Sequence, residues 1–202
     1  MKTRNDFPKF LTDNNCKIGI EIGSYRGNHA KYLLDNWQGY LYLVDVWKEM
    51  DESEYTVGNC KENPKESIVA VFDNLSGYED RTTLIRGSSN NTDHLFPDEF
   101  FDFIYIDANH KYKYVLHDMK KWYPKLKTGG IFAGHDFIAD YDINKADENG
   151  DVHVWLHNIN TPEKIEYSGM FGVNKAVQDF CTAINKDFQV TDEYLATWYF
   201  KK

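Results

Sequence analysis

The sequence predicts an α/β protein: a doubly wound sheet of seven strands, mostly parallel, closed by an antiparallel hairpin. Two observations carry this. Short apolar runs alternate with stretches of helical period, and the last two runs are joined by a tight turn. Lys17 to Ile22 is the first run and stops at Gly23, after which His29 to Leu34 begins a helix. Tyr40 to Val44 is the second strand and ends on Asp45. Ile68, Val71, Phe72 and Leu75 recur at spacings of three and four, the stripe of an amphipathic helix. Thr82 to Ile85 and Phe101 to Ile106 are the third and fourth strands, the latter ending on Asp107. Tyr114 to Leu126 reads as a helix with Val115, Met119 and Trp122 on one face, stopped near Pro124 and the Gly129-Gly130 turn. Ile131 to Gly134 is the fifth strand. After a helix over Lys175 to Ile184, Phe188 to Thr191 and Tyr194 to Phe200 flank Asp192-Glu193, a hairpin. Asp136 to Phe171 has weak periodicity apart from a short helix at Val152 to His157, and so reads as a substrate lid in a single domain of residues 1–202.

Composition narrows the class. A chain of 202 residues, 42% hydrophobic, holds one domain with a sizeable core. Acids outnumber bases 32 to 23, a net charge of -9, which lacks the footprint of a nucleic-acid or anionic-membrane binder. Aromatics at 16% exclude a disordered solvating chain. No apolar run is long enough to span a membrane, and Met1 to Phe10 has no signal-peptide core. Cys16, Cys60 and Cys181 are odd in number and far apart, reading as free thiols of a cytoplasmic protein. Residues 136–168 hold eight acids and two bases, so the acidity concentrates in one segment.

Ligands of doubly wound sheets bind beyond the carboxyl ends of the strands. The segments following those ends are the candidates, the first being Glu21-Ile-Gly23-Ser24-Tyr-Arg-Gly27. A dinucleotide fingerprint would need a glycine where Glu21 stands, and a carboxylate repels a pyrophosphate. An acid, a glycine and a second glycine four later suit a ligand with a cationic amino group and a nucleoside but no phosphates; otherwise they form only a tight turn. Asp45 lies where an acid accepts from both ribose hydroxyls. Trp47 is placed to flank a base. Ser88 and Ser89 follow the third strand, where a serine is either a ligand contact or an ordinary loop residue.

These residues resemble the class I S-adenosylmethionine-dependent methyltransferases, over nearly the whole chain. Asp102-Phe-Ile-Tyr-Ile-Asp107-Ala-Asn-His110, with Leu126-Lys-Thr-Gly-Gly130-Ile-Phe-Ala-Gly-His135-Asp136-Phe137, is similar to their small-molecule O-methyltransferase branch. That branch includes macrolide-sugar and cephalosporin tailoring enzymes and, more distantly, catechol O-methyltransferase. The resemblance implies a Rossmann-like fold, cofactor binding by Glu21, Gly23, Ser24, Gly27, Asp45, Trp47, Ser88 and Asp107, and a divalent metal on Asp107, His135 and Asp136. Two carboxylates suit magnesium; His135 departs from the family's usual oxygen ligands and leaves manganese, iron or zinc open. His110 stands three residues after Asp107, where catechol-type enzymes place a catalytic lysine, and is the candidate base, with Asp107 the other catalytic residue.

The expected reaction is methyl transfer to a hydroxyl of a small-molecule acceptor. A metal-independent O- or N-methyltransferase and a non-catalytic nucleoside-binding module are the rival readings. Neither nucleic acid nor membrane is an expected partner, and the sequence leaves open both a homo-oligomer and the acceptor's identity. Specificity is expected from Asp136 to Phe171, where Phe137, Tyr141, Trp155 and Tyr167 would line a lid, and from Trp47 to Asn63. His153 and His157, four apart, read as a solvated helix face.

Overall fold

The structure is a computed structural model that describes residues 1–48, 63–138, 142–157 and 165–202. After a 3-10 turn at Arg4–Asp6 come α1 (Phe7–Asp13), β1 (Ile18–Ile22), α2 (Asn28–Asn36), β2 (Tyr40–Asp45), α3 (Pro64–Asn74), β3 (Thr82–Arg86) and α4 (Ser89–Thr92). The second half runs β4 (Phe101–Ile106), α5 (Tyr112–Trp122), β5 (Leu126–Ile138), β6 (Val152–His157), β7 (Ile165–Phe171), α6 (Val173–Ala183), β8 (Gln189–Val190) and β9 (Leu195–Lys201). The main sheet has the seven strands that the sequence predicts, in the order β3-β2-β1-β4-β5-β9-β8. Strands β1 to β5 pair parallel; β9 is antiparallel to both neighbours.

Both faces of the sheet are covered, which is why its strands read as continuous apolar runs rather than alternating ones. Ile104 and Ile106 of β4 pack with Val115, Met119 and Trp122 of α5 and Phe180 of α6. Phe103 and Tyr105 turn the other way, against Phe7 and Leu11 of α1 and Leu33 of α2. Strand order reverses between β1 and β4, so a crevice opens at their carboxyl ends.

Several sequence expectations change. Val152–His157 is not a helix but β6, antiparallel to β7 in a separate two-stranded sheet. Its period is two: Val152 and Val154 are buried with Ile138 and Phe171 while His153 is exposed. The fifth strand runs on to Ile138, with its pairing to β9 broken between Gly134 and Phe137. Val71 of α3 and Leu75, which caps its end, are buried, but Phe72 is 61% exposed, one position off the stripe. Arg4–Asp13, unassigned by the sequence reading, forms a turn and α1, with Pro8 in the helix's first turn. Cys16 and Cys181 are buried and free; Cys60 lies outside the described residues. Among the described residues no helix is long and apolar enough to cross a membrane.

Candidate active site

The crevice is a cavity of about 870 Å³. One end is built by the loop from β1 to α2. The Gly23 amide donates to Val44 O at 2.8 Å, and its φ of +91 belongs to the left-handed region. A Cβ there would sit 2.2 Å from the Asp107 carbonyl oxygen, so only glycine lets the loop cross the end of β4. Gly27, at φ +76, begins α2.

Asp45 closes β2 and is held by two backbone amides: Tyr25 N donates to Oδ2 and Trp47 N to Oδ1, both at 2.9 Å. Burial pushes its carboxyl up to about 6, against those bonds. Trp47 lines the cavity and is itself pinned, its Nε1 donating to Tyr25 O at 2.7 Å. Ser88 accepts from Asn90 N at 3.3 Å and so caps α4 while facing the cavity. Asp118, a cavity-lining residue of α5 to which the sequence reading gave no role, is 3% exposed. Burial drives it up to about 7, although a hydrogen bond from Ser89 opposes the shift.

Beneath the glycine loop lies a buried pair. Glu21 Oε1 is 2.6 Å from Nδ1 of His29. Burial, with Asp107 adding, pushes Glu21 up to about 8. Burial, with Arg4 adding, holds His29 well below its ordinary value. Burial thus works against charge on both partners. His29 was legible only as the start of a helix.

At the other end stand the candidate chemical groups. His110 Nε2 is 2.8 Å from Asp136 Oδ2, and its ring stacks on Phe171 of β7 with centroids 5.1 Å apart. His135 Nδ1 lies 3.0 Å from the other oxygen of Asp136. Asp136 has a positive φ of 60 within the interrupted pairing of β5, where the chain kinks at its approach to the cavity. Burial works against the charge of Asp136, but the two histidines outweigh it and hold the carboxyl well below the usual range. Burial likewise opposes a charged His110; Asp136 and then Asp107 overcome it and raise the imidazole.

Among the described residues, the ligand atoms of Asp107, His110 and Asp136 all lie within 4.8 Å of one another. The sequence reading put His135 in that set and kept His110 apart as a base; the geometry brings His110 in, while His135 lines the same cavity and contacts the other oxygen of Asp136. The remaining neighbour of Asp107 was not foreseen: Arg4 Nη2 reaches its Oδ2 at 2.6 Å. Of the expected lid residues, Phe137 packs on Phe188 with centroids 5.6 Å apart. Tyr141, and the side chains of Trp155, His157 and Tyr167, lie outside the described residues, as do residues 49–62.

The mostly parallel seven-stranded sheet closed by an antiparallel strand is a Rossmann-like methyltransferase fold. A family model described as a methyltransferase domain matches residues 20–137, more than half of the chain. The chain belongs to that family, the S-adenosylmethionine-dependent methyltransferase class its sequence resembles. No curated protein matches. Among solved structures, the SAH-bound Podospora anserina methyltransferase PaMTH1 is 20% identical with a TM-score of 0.61, over 98% of this chain and 78% of that one. An O-methyltransferase from Bacillus cereus in complex with SAH is 12% identical with a TM-score of 0.63, over 98% and 80%. The O-methyltransferase TomG from Streptomyces achromogenes, involved in tomaymycin synthesis and solved with SAM, is 10% identical with a TM-score of 0.62, over 98% and 79%. At such identities the likeness is one of fold.

Proposed function

We propose that the protein transfers the methyl group of S-adenosylmethionine to a hydroxyl of a small molecule, with His110 as the proton acceptor. One observation carries the reading: a single cavity joins the ribose-type acid Asp45 to the His110–Asp136 pair. Gly23 and Gly27 let the chain pass close to the methionine moiety, Asp45 accepts from the ribose hydroxyls, and Trp47 and Ser88 stand at the base. The acceptor oxygen attacks the methyl carbon, the carbon–sulfur bond breaks, and the sulfonium becomes the neutral thioether of S-adenosylhomocysteine. The hydroxyl proton passes to His110, which Asp136 orients and whose charge it balances. Because charge is annihilated in this step, a dehydrated cavity favours the transition state.

A metal-assisted form is the second reading, favoured by the clustering of three ligand atoms within 4.8 Å. Two carboxylates and an imidazole fit a divalent cation. The imidazole moves the preference from magnesium toward manganese, iron or zinc. Asp107, His110 and Asp136 would hold the ion, which would act as a Lewis acid on the acceptor oxygen. The two forms part on His110: proton acceptor in one, ligand in the other.

The test is S-adenosylmethionine turnover against a panel of phenols, sugars and amines, read as S-adenosylhomocysteine formed, with and without chelator. Turnover confined to hydroxyl acceptors is expected. Amine methylation replaces the hydroxyl assignment, and cofactor binding without turnover on any acceptor means a binding module. Loss of activity on chelation, restored by manganese, selects the metal-assisted form.

A further inference from the structure

Arg4 is not a stray surface arginine. The arm that carries it is tied down along residues 1–4: Met1 N donates to Tyr199 Oη at 2.8 Å, Asp192 N to Lys2 O at 2.9 Å, and Arg4 N to Glu193 Oε2 at 2.7 Å. Glu193 is itself held by Thr191 Oγ1 at 2.8 Å. The β8–β9 turn therefore fixes where residue 4 enters the cavity. The guanidinium lies over the Tyr105 ring, 5.4 Å from its centroid, with Nη2 on Asp107 Oδ2. Its Nε is buried without a hydrogen-bond partner among the described residues.

An arginine keeps its charge at every pH a protein survives, so it leaves Asp107 only by moving. Asp107 is one of the three residues a divalent cation would use. We propose that Arg4 is a built-in competitor of that cation: it neutralises Asp107 and sets how weakly the Asp107–His110–Asp136 cluster binds a divalent metal. The inference rests on the metal-assisted reading for the cluster's identity, and on the Arg4–Asp107 pair for its direction. With Arg4 in place, an incoming dication meets a carboxylate already paired and a fixed positive charge beside it. Without Arg4, the cluster presents a half-buried carboxylate that has lost its arginine, which a cation then stabilises.

The test is binding of manganese(II) alone to the full chain, followed by electron paramagnetic resonance of the free ion. Arg4→Gln, which keeps polarity and loses charge, should bind manganese at least tenfold more tightly than wild type. Arg4→Lys should stay within threefold of wild type, and Arg4→Gln combined with Asp107→Asn should lose the gain. Circular dichroism verifies that each variant is folded. An Arg4→Gln variant that binds manganese no better than wild type, or not at all, overturns the proposal. So does an equal gain in the lysine variant, because charge would then not be the cause. Calorimetric titration of wild type with S-adenosylhomocysteine decides the cofactor reading separately, so the two failures are distinguishable.

Discussion

Asp118→Asn should stabilise the protein, and only above about pH 4. The carboxyl is 3% exposed and raised from 3.8 to about 7 by burial. A shift of about 3 units at roughly 1.4 kcal/mol per unit amounts to about 4 kcal/mol. The sign follows from proton counting. Between about pH 4 and pH 7 the folded state keeps a proton that the unfolded chain has released, so stability falls as pH rises through that window, and the whole penalty is present above it. Asparagine has the same shape, carries no charge and retains an oxygen for the Ser89 hydroxyl. The difference in unfolding free energy, variant minus wild type, should be near zero at about pH 4 and reach about 2–4 kcal/mol at about pH 8. The lower end allows for water entering the cavity that Asp118 lines. Urea unfolding followed by tryptophan fluorescence at both pH values measures it. A difference that does not change with pH, or a less stable variant at pH 8, refutes the reasoning.

Three further outcomes are expected. Gly23→Ala forces a Cβ to within 2.2 Å of the Asp107 carbonyl at a φ of +91, so S-adenosylhomocysteine binding should be lost in calorimetry and the melting temperature should drop. Asp45→Asn removes a charged acceptor and should weaken cofactor binding by about tenfold to a hundredfold, the 1.5–3 kcal/mol of a charged hydrogen bond; unchanged affinity would remove Asp45 from the ribose site. His110→Gln should lower kcat by about 10²–10⁴-fold while cofactor affinity stays within about threefold, separating a chemical role from a binding one.

Local rules made the sheet legible. A strand buried on both faces must be apolar throughout, so Phe101–Ile106 and Tyr40–Asp45 announce themselves, and the polar residues that stop them mark the strand ends where the cavity opens. The β6 strand was misread because six residues with histidines four apart satisfy a helical stripe as easily as a pleated one; its partner β7 decides between them. The exchange of His110 and His135 has a similar origin. Sequence order sets His135 beside Asp136 and His110 three residues after Asp107, whereas the fold brings His110 onto Asp136, with the pairing interrupted after Gly134 and His110 stacked on Phe171.

The α/β class, the strand ends and the acids and glycines on them follow from local pattern, because hydrophobic period, turn chemistry and strand-terminal polarity are properties of neighbours in the chain. The partners of those groups, and the direction in which burial pushes their ionisation, come from the fold. Arg4 meets Asp107 across 103 residues, Glu21 and His29 meet as a buried pair under a loop, and Asp118 loses its water to a fold the sequence pattern does not describe. Desolvation and Coulomb pairing act through space, and space is what folding creates.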